Sequence, residues 1–397
     1  MSTVFDVEVT STNQLRPAAA ALDPLIRDYA VESERLRTLA PEVVAAARRA
    51  GLFRMAMPAA LGGWEADPLT IFEAIETLSY ADGSAGWSIL IGNATFVLAW
   101  LEPDVALELL GGNPDQCSTG VFAPLGQGVP DGKGALVVNG RWPFNSGSPH
   151  ADLFMAGVRV SDDGVMPRVL PDGRYDLRHA YLPRESVEVL DNWFGAGLRG
   201  TGSHDIVVRD ARVPEEWTCS PLFEQPHHDG ALFRFSFYML ISLLLSGLPS
   251  GVARRAIDEV GERVVTKRRT GPMSATVAED ETAQVAVADA DALVRSARAF
   301  FVDAIGEAWA TVTRGDRCSL RQRALVNSAG QRLLRAGIAA VDAVAPYAGA
   351  SSVYNDDPLQ RCVRDLHTVR SHIFYSDDNL KRVGKALLGI EQPEHLL

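Results

Sequence analysis

The chain has 397 residues and is 47% hydrophobic, enough to bury more than one compact core. Its 38 Lys and Arg stand against 50 Asp and Glu, a net charge of −12 that repels nucleic acid phosphates and anionic membrane surfaces and leaves a small molecule as the expected partner. Four scattered cysteines, Cys117, Cys219, Cys318 and Cys362, form no CxxC pair and read as reduced thiols of a cytoplasmic protein, not as a zinc site or disulfide framework.

The opening stretch lacks a basic region followed by an apolar one, so no signal peptide is expected. From Leu15 to about Leu110 apolar residues recur at helical spacing, as in Leu36, Leu39, Val43, Val44 and Ala47, or Ile71, Phe72, Ile75 and Leu78. Pro41 fits a first helical turn, Gly51 a C-terminal cap and Gly62-Gly63 a sharp turn, so at least four helices are predicted. Between Gly111 and Pro221 the pattern shifts to short alternating or β-branched runs: Ala135 to Val138, Phe154 to Val160, Val187 to Leu190 and Asp205 to Val208. These predict a small β domain.

From Phe233 the helical period returns through Val252 to Val265, Glu281 to Thr313, Leu320 to Ala345 and Leu359 to Leu388, predicting a four-helix bundle. The most apolar run, Met239 to Leu248, is about half a membrane span in length and is closed by Gly247 and Pro249, as in a buried helix. The expected class is therefore α+β, with an N-terminal helical domain (1–112), a middle β-barrel or sandwich (113–222) and a C-terminal bundle (223–397).

Five segments then appear in a fixed order: Ala46 to Gly63, Asp82 to Ser88 (DGSAGWS), Asn139 to Asp152 (NGRWPFNSGSPHAD), Gly197 to Pro214 and Pro358 to His372. Together they resemble the acyl-CoA dehydrogenase superfamily over nearly the whole chain, most closely its flavin-dependent monooxygenase branch of bacterial phenol and indole hydroxylases and aminosugar N-oxygenases. The resemblance implies a homotetramer or homodimer that receives reduced FAD, or FMN, from a separate NAD(P)H-dependent reductase. With O2, through a flavin hydroperoxide, it would hydroxylate a small aromatic of the phenol or indole type. N-oxygenation of an amine, thioester dehydrogenation and flavin binding without catalysis stand as alternatives.

Where many dehydrogenases of this superfamily carry Tyr-Glu-Gly-Thr, this chain reads His372-Ile373-Phe374-Tyr375, with Ile373 at the place of the base. Glu259 or Glu262 would have to replace it, yet both lie among Arg254, Arg255, Asp258 and Arg263, a pattern that reads as a solvated, charge-paired helix face.

The same resemblance assigns site residues. Phe122, Trp142, Asn145 and Ser146 are expected against the flavin ring, with Ser146 holding its N–H; by residue type alone, the Trp142 to Gly147 segment reads as a strand-ending turn. His372 is the expected catalytic residue, since an imidazole titrates near neutrality and suits proton transfer. His367, five residues earlier, points about 140° away on a helix and makes no metal pair with it. Asn93 replaces a histidine of related oxygenases, so it would position substrate without exchanging a proton. Lys267, Arg268 and Arg269, before Gly271-Pro272, would clamp a neighbouring subunit's flavin pyrophosphate, with Gln284, Tyr347 and Gly349 nearby. No GxGxxG opens a strand-to-helix unit, and Gly202-Ser203-His204 is not a nucleophile elbow. A nicotinamide domain and a hydrolase are both excluded on those grounds.

Overall fold

The computed structural model describes residues 9–268 and 276–397, so Arg269 and Gly271-Pro272 lie outside the described residues. Among the described residues seven α-helices form the N-terminal region: α1 (Leu15–Ala21), α2 (Asp23–Asp28), α3 (Ala30–Leu36), α4 (Pro41–Arg49), α5 (Pro68–Ala81), α6 (Gly83–Gly92) and α7 (Pro103–Leu110). Local chemistry starts them. Pro41, Pro68 and Pro103 occupy first helical turns, and the Asp67 carboxylate caps α5 by accepting from the N–H groups of Leu69 and Thr70. Asp82 ends α5 and caps α6 through Ala85 N–H, which turns the chain without a loop.

The middle region is one hydrogen-bonded sheet of β1 (Ser118–Pro130), β2 (Ala135–Asn145), β3 (Leu153–Val160), β4 (Leu177–Leu182), β5 (Val187–Val189), β6 (His204–Pro214) and β7 (Thr218–Cys219). Its order is β5-β6-β2-β1-β3-β4-β7, antiparallel except where β1 runs beside β3. The four predicted strand segments fall in β2, β3, β5 and β6. One sheet face packs a separate apolar cluster that includes Trp142, Phe154, Ile206 and Val213.

The C-terminal region holds α8 (Phe237–Thr266), α9 (Glu281–Thr313), α10 (Leu320–Val344), α11 (Pro358–Val369) and α12 (Asp377–Leu387). A reciprocal capping box between Ser319 and Gln322 opens α10. The periodic stretch predicted as one final helix is broken at 370–376 by a 3-10 turn, Ile373–Tyr375. Among the described residues α8 is the one helix long and apolar enough to cross a membrane, and 83% of its apolar window is buried within the bundle. Gly247 and Gly251 explain how α5 can lie against it. A Cβ at Gly251 would come within 2.1 Å of Glu76 O, and one at Gly247 within 2.8 Å of Phe72 O. The Arg298 guanidinium on α9 then bridges to Glu73 and Glu76 on α5, tying the bundle to the first region.

Candidate active site

Three segments meet around the side chain of Trp87 on α6. The turn after β2 brings Ser146, the loop before β6 brings Ser203, and the break between α11 and α12 brings His372. The Trp87 indole N–H donates to Ser146 Oγ at 2.9 Å, and the indole meets the His372 ring edge-on with centroids 5.5 Å apart. Ser146 and His372 are thus held by one rigid aromatic side chain.

Backbone geometry sets the turn. Phe144 has φ 61° and Gly147 φ 80°, so the chain reverses within three residues and leaves Phe144 71% exposed while Asn145 and Ser146 are buried. Gly147 N–H donates to Thr201 O at 2.8 Å, which docks this turn on the 198–203 loop. The Thr119 hydroxyl on β1 closes the other side, its one proton shared between Asn145 Oδ1 and Ser146 O. The 198–203 loop is itself held in place by α11, because Leu198, at φ 50°, donates its N–H to Asp365 Oδ1 at 2.6 Å.

His372 caps the 3-10 turn, its Nδ1 accepting from Phe374 N–H at 3.3 Å. Packing against the buried Trp87 disfavours the cation and lowers its pKa to about 4. The ring is therefore neutral near pH 7. Because Nδ1 is the acceptor, the remaining proton sits on Nε2, so His372 presents an N–H donor rather than a base to whatever lies beside it. His367, on α11, pairs with Asp342 at 2.9 Å on the bundle surface, while His372 lies past the end of that helix and makes no metal pair with it.

Two expected site residues are placed elsewhere. Trp142 has no exposed surface: its indole lies in the β core, donates to Gly157 O at 2.8 Å, and fills space that Gly126 and Gly140 leave open. It cannot face a flavin ring. Asn93 is also fully buried and gives both amide hydrogens to Leu52 O and Ile89 O while accepting from Ala56 N–H. It braces α6 against the α4–α5 connection and has no hydrogen left for a substrate. Phe122 packs edge-on to Phe237 and His179, on the seam between the sheet and α8.

At the far end of α8, Lys267 Nζ donates to Ala348 O at 2.6 Å, and Lys267 O accepts from Val277 N–H. Gly349, at φ 78°, passes so near that a Cβ there would lie 1.7 Å from Lys267 Nζ. Arg268 pairs with Thr276 across an isolated bridge, Gln284 donates to Ala278 O at 2.8 Å, and Tyr347 packs partly buried on the core. Lys267, Arg268, Gln284, Tyr347 and Gly349 thus form one junction. Glu259 is bound on both sides by Arg255 and Arg263, so it is charge-paired as expected, but the group is largely enclosed rather than solvated, with the Glu259 side chain 13% exposed.

A flavin fits the first cluster. Asn145 spends its amide oxygen on Thr119, but its Nδ2 is buried without a protein acceptor. A buried donor of this kind is costly unless a ligand supplies the acceptor. Ring carbonyls and ring nitrogens of an isoalloxazine are acceptors of the right type.

Residues 14–102 match the acyl-CoA dehydrogenase N-terminal domain, and residues 243–377 match the acyl-CoA dehydrogenase C-terminal domain. Indole-3-acetate monooxygenase of Pseudomonas putida is 34% identical over 382 residues, covering 95% of this chain and 94% of the relative. The flavin-dependent monooxygenase oxygenase subunit HsaA of Mycobacterium tuberculosis is 31% identical over 368 residues, covering 89% of this chain and 90% of the relative. Its crystal structure superimposes with a TM-score of 0.88 at 27% identity, covering 97% of this chain and 100% of that one. The FADH(2)-dependent resorcinol hydroxylase oxygenase component of a Rhizobium species is 27% identical over 394 residues, covering 94% of this chain and 93% of its own. The chain belongs to the acyl-CoA dehydrogenase superfamily, in its branch of two-component flavin-dependent monooxygenases. It is an enzyme of that class, the oxygenase component, and its cofactor is a flavin.

Trp87, Thr119, Thr201 and Ser203 were not among the expected site residues. Trp87 and Ser203 lie within DGSAGWS and the Gly197 to Pro214 segment, which marked the family, so the signal was present but pointed to fold only.

Proposed function

We propose that this oxygenase takes reduced FAD from a separate NAD(P)H-dependent reductase and hydroxylates a small aromatic substrate of the indole or phenol type. The observation that carries this reading is the Ser146–Trp87–His372 grouping, with Ile373 exposed beside His372 where a dehydrogenase needs a carboxylate. Reduced flavin, when bound, supplies two electrons that with O2 put one oxygen atom on the substrate and release the other as water.

The chain's own residues have narrower tasks. Ser146 and Asn145 hold the ring edge, Asn145 donating through its unpartnered Nδ2. Trp87 fixes the spacing between Ser146 and His372 and excludes water from the gap. His372 donates through Nε2–H to an oxygen of the substrate or of the reacting oxygen species, orienting it for attack on the aromatic ring. The relatives named for indole-3-acetate and resorcinol support an electron-rich aromatic as substrate. The junction at Lys267, Arg268, Gln284, Tyr347 and Gly349 is assigned to the flavin pyrophosphate of a neighbouring subunit in a homotetramer or homodimer, which calls for positive charge away from the ring site. A cytoplasmic location is in keeping with four buried free cysteines.

The test supplies FAD, NADH, an unrelated flavin reductase and 18O2 to the purified protein with indole-3-acetate, simple phenols and resorcinol, and reads products by mass spectrometry. The expected result is one 18O atom in an aromatic product. Hydrogen peroxide as the sole oxygen product with every aromatic, or anaerobic reduction of bound flavin by an acyl-CoA, would overturn the reading.

A further inference from the structure

Ser146 is the first member of a buried row of hydroxyls whose direction can be read. Ser146 Oγ lies 2.7 Å from Ser203 Oγ, Ser203 Oγ 2.6 Å from Thr201 Oγ1, and Thr201 Oγ1 2.8 Å from Leu198 O. Leu198 O also takes the Trp193 indole N–H at 3.1 Å. A carbonyl only accepts, so the Thr201 hydroxyl must donate to it. Ser203 must then give its proton to Thr201, and Ser146 must give its own to Ser203. At the other end an indole N–H only donates, and Trp87 donates to Ser146. Both ends being fixed, the row has one polarity. Ser146 has no proton left to offer and one lone pair remaining.

We propose that Thr201 and Ser203 are positioning residues that lock Ser146 as a hydrogen-bond acceptor and thereby make the site select reduced over oxidised flavin; this rests on the flavin reading of the Ser146 site. Reduced flavin carries a ring N–H that oxidation removes, leaving a lone pair at the same nitrogen. An acceptor-only serine accepts from that N–H and opposes that lone pair. A serine free to rotate its proton would satisfy either form. The selectivity therefore resides in two hydroxyls that need not touch the cofactor. The end of the row is held in turn by Asp365, which fixes Leu198 in its left-handed conformation from the opposite side.

The experiment measures anaerobic dissociation constants of FAD and dithionite-reduced FAD for the wild-type protein and for Thr201→Val, Ser203→Ala and Thr201→Ser. Loss of either hydroxyl frees the Ser146 proton, so the ratio of oxidised to reduced dissociation constants falls about tenfold in Thr201→Val and Ser203→Ala, as expected for exchanging a matched for a mismatched buried hydrogen bond. Thr201→Ser keeps the donor and keeps the wild-type ratio. A role confined to packing would weaken both forms together and leave the ratio unchanged in Thr201→Val and Ser203→Ala; that result overturns the inference while leaving the oxygenase reading intact. Wild-type protein that binds neither form of the flavin removes the oxygenase reading, and the inference with it. If Thr201→Val fails to fold, by circular dichroism, Ser203→Ala decides alone.

Discussion

Asp365 on α11 accepts the Leu198 N–H at 2.6 Å and lies so close to the start of α6 that a Cβ on Gly83 would come within 2.4 Å of its Oδ2. One carboxyl thus joins the bundle, the N-terminal helices and the loop that carries the hydroxyl row. Burial, with the charge of Asp82 adding to it, pushes Asp365 up to about 8, and Asp82 is raised as well. The folded protein therefore holds a proton on Asp365 through the range where the unfolded chain has lost it. Its stabilising effect is complete below the ordinary carboxylate pKa and is lost as pH rises toward about 8. Wild-type unfolding free energy, measured in urea, is expected to fall from about pH 5 to about pH 8, and Asp365→Asn, which keeps an acceptor for Leu198, is expected to show a shallower fall. Equal slopes would remove Asp365 from the pH dependence.

His372→Ala is expected to bind reduced flavin as the wild type does while losing about 10²-fold in kcat for product formation, the usual scale for one positioned proton carrier or donor. His372→Gln, which restores an N–H donor, should recover part of the loss. Unchanged turnover in His372→Ala would take the residue out of the chemistry.

The lowered pKa of His372 makes a separate prediction for pH-rate profiles. With its pKa at about 4, the imidazole is neutral throughout the range from about pH 5 to about pH 9, so no inflection in kcat there should disappear in His372→Gln. An inflection near pH 6.5 present in the wild type and absent in the variant would contradict the neutral assignment.

Asn93→Ala should behave as a structural lesion. Removing an amide that pairs with Leu52, Ile89 and Ala56 strands buried backbone groups and is expected to cost about 1–3 kcal/mol of stability. The kcat of the folded fraction should stay at the wild-type value. A stable variant with depressed kcat would return Asn93 to the active site.

Gly126→Ala tests the placement of Trp142 in the β core. The new methyl would start 2.0 Å from Trp142 Cζ2, an overlap that repacking relieves at about 1–3 kcal/mol. Thermal melting followed by tryptophan fluorescence should show a lower midpoint, whereas an unaltered midpoint would mean that the indole lies elsewhere.

Much of the fold was legible because its helices carry their own start signals and periodicity, as at Pro41 and the α8–α10 stretch. β1 was not, since Gly120, Pro124, Gly126 and Gly128 break its alternation. At least Gly120 and Gly126 are there because side chains of Met155 and Trp142 occupy the space a Cβ would take. The same short-range ambiguity misplaced Trp142: in Trp-Pro-Phe, sequence does not say which ring faces inward, and the positive φ at Phe144 turns Trp142 in and Phe144 out. Ser146 and His372 entered through the family resemblance, because by residue type alone a strand-ending turn and a lone imidazole read as structural. Trp87, Thr201 and Ser203 acquire their roles only when segments 59 and 57 residues apart in sequence from Ser146 meet it, which no local pattern records. The interruption of the last helix was hidden because apolar spacing continues across it.

That interruption separates the reactive group from the frame that carries it. Phe374 O is gripped by the side-chain amides of Gln331 and Asn379, and the Tyr375 hydroxyl is tethered to Leu245 O, while the neighbouring Ile373 is 77% exposed. Chemistry and scaffold can therefore drift at different rates. Laboratory selection for altered aromatic range should collect replacements at Ile373 well before any at Phe374 or Tyr375, and the bundle would keep its melting behaviour while the catalogue of accepted molecules changes.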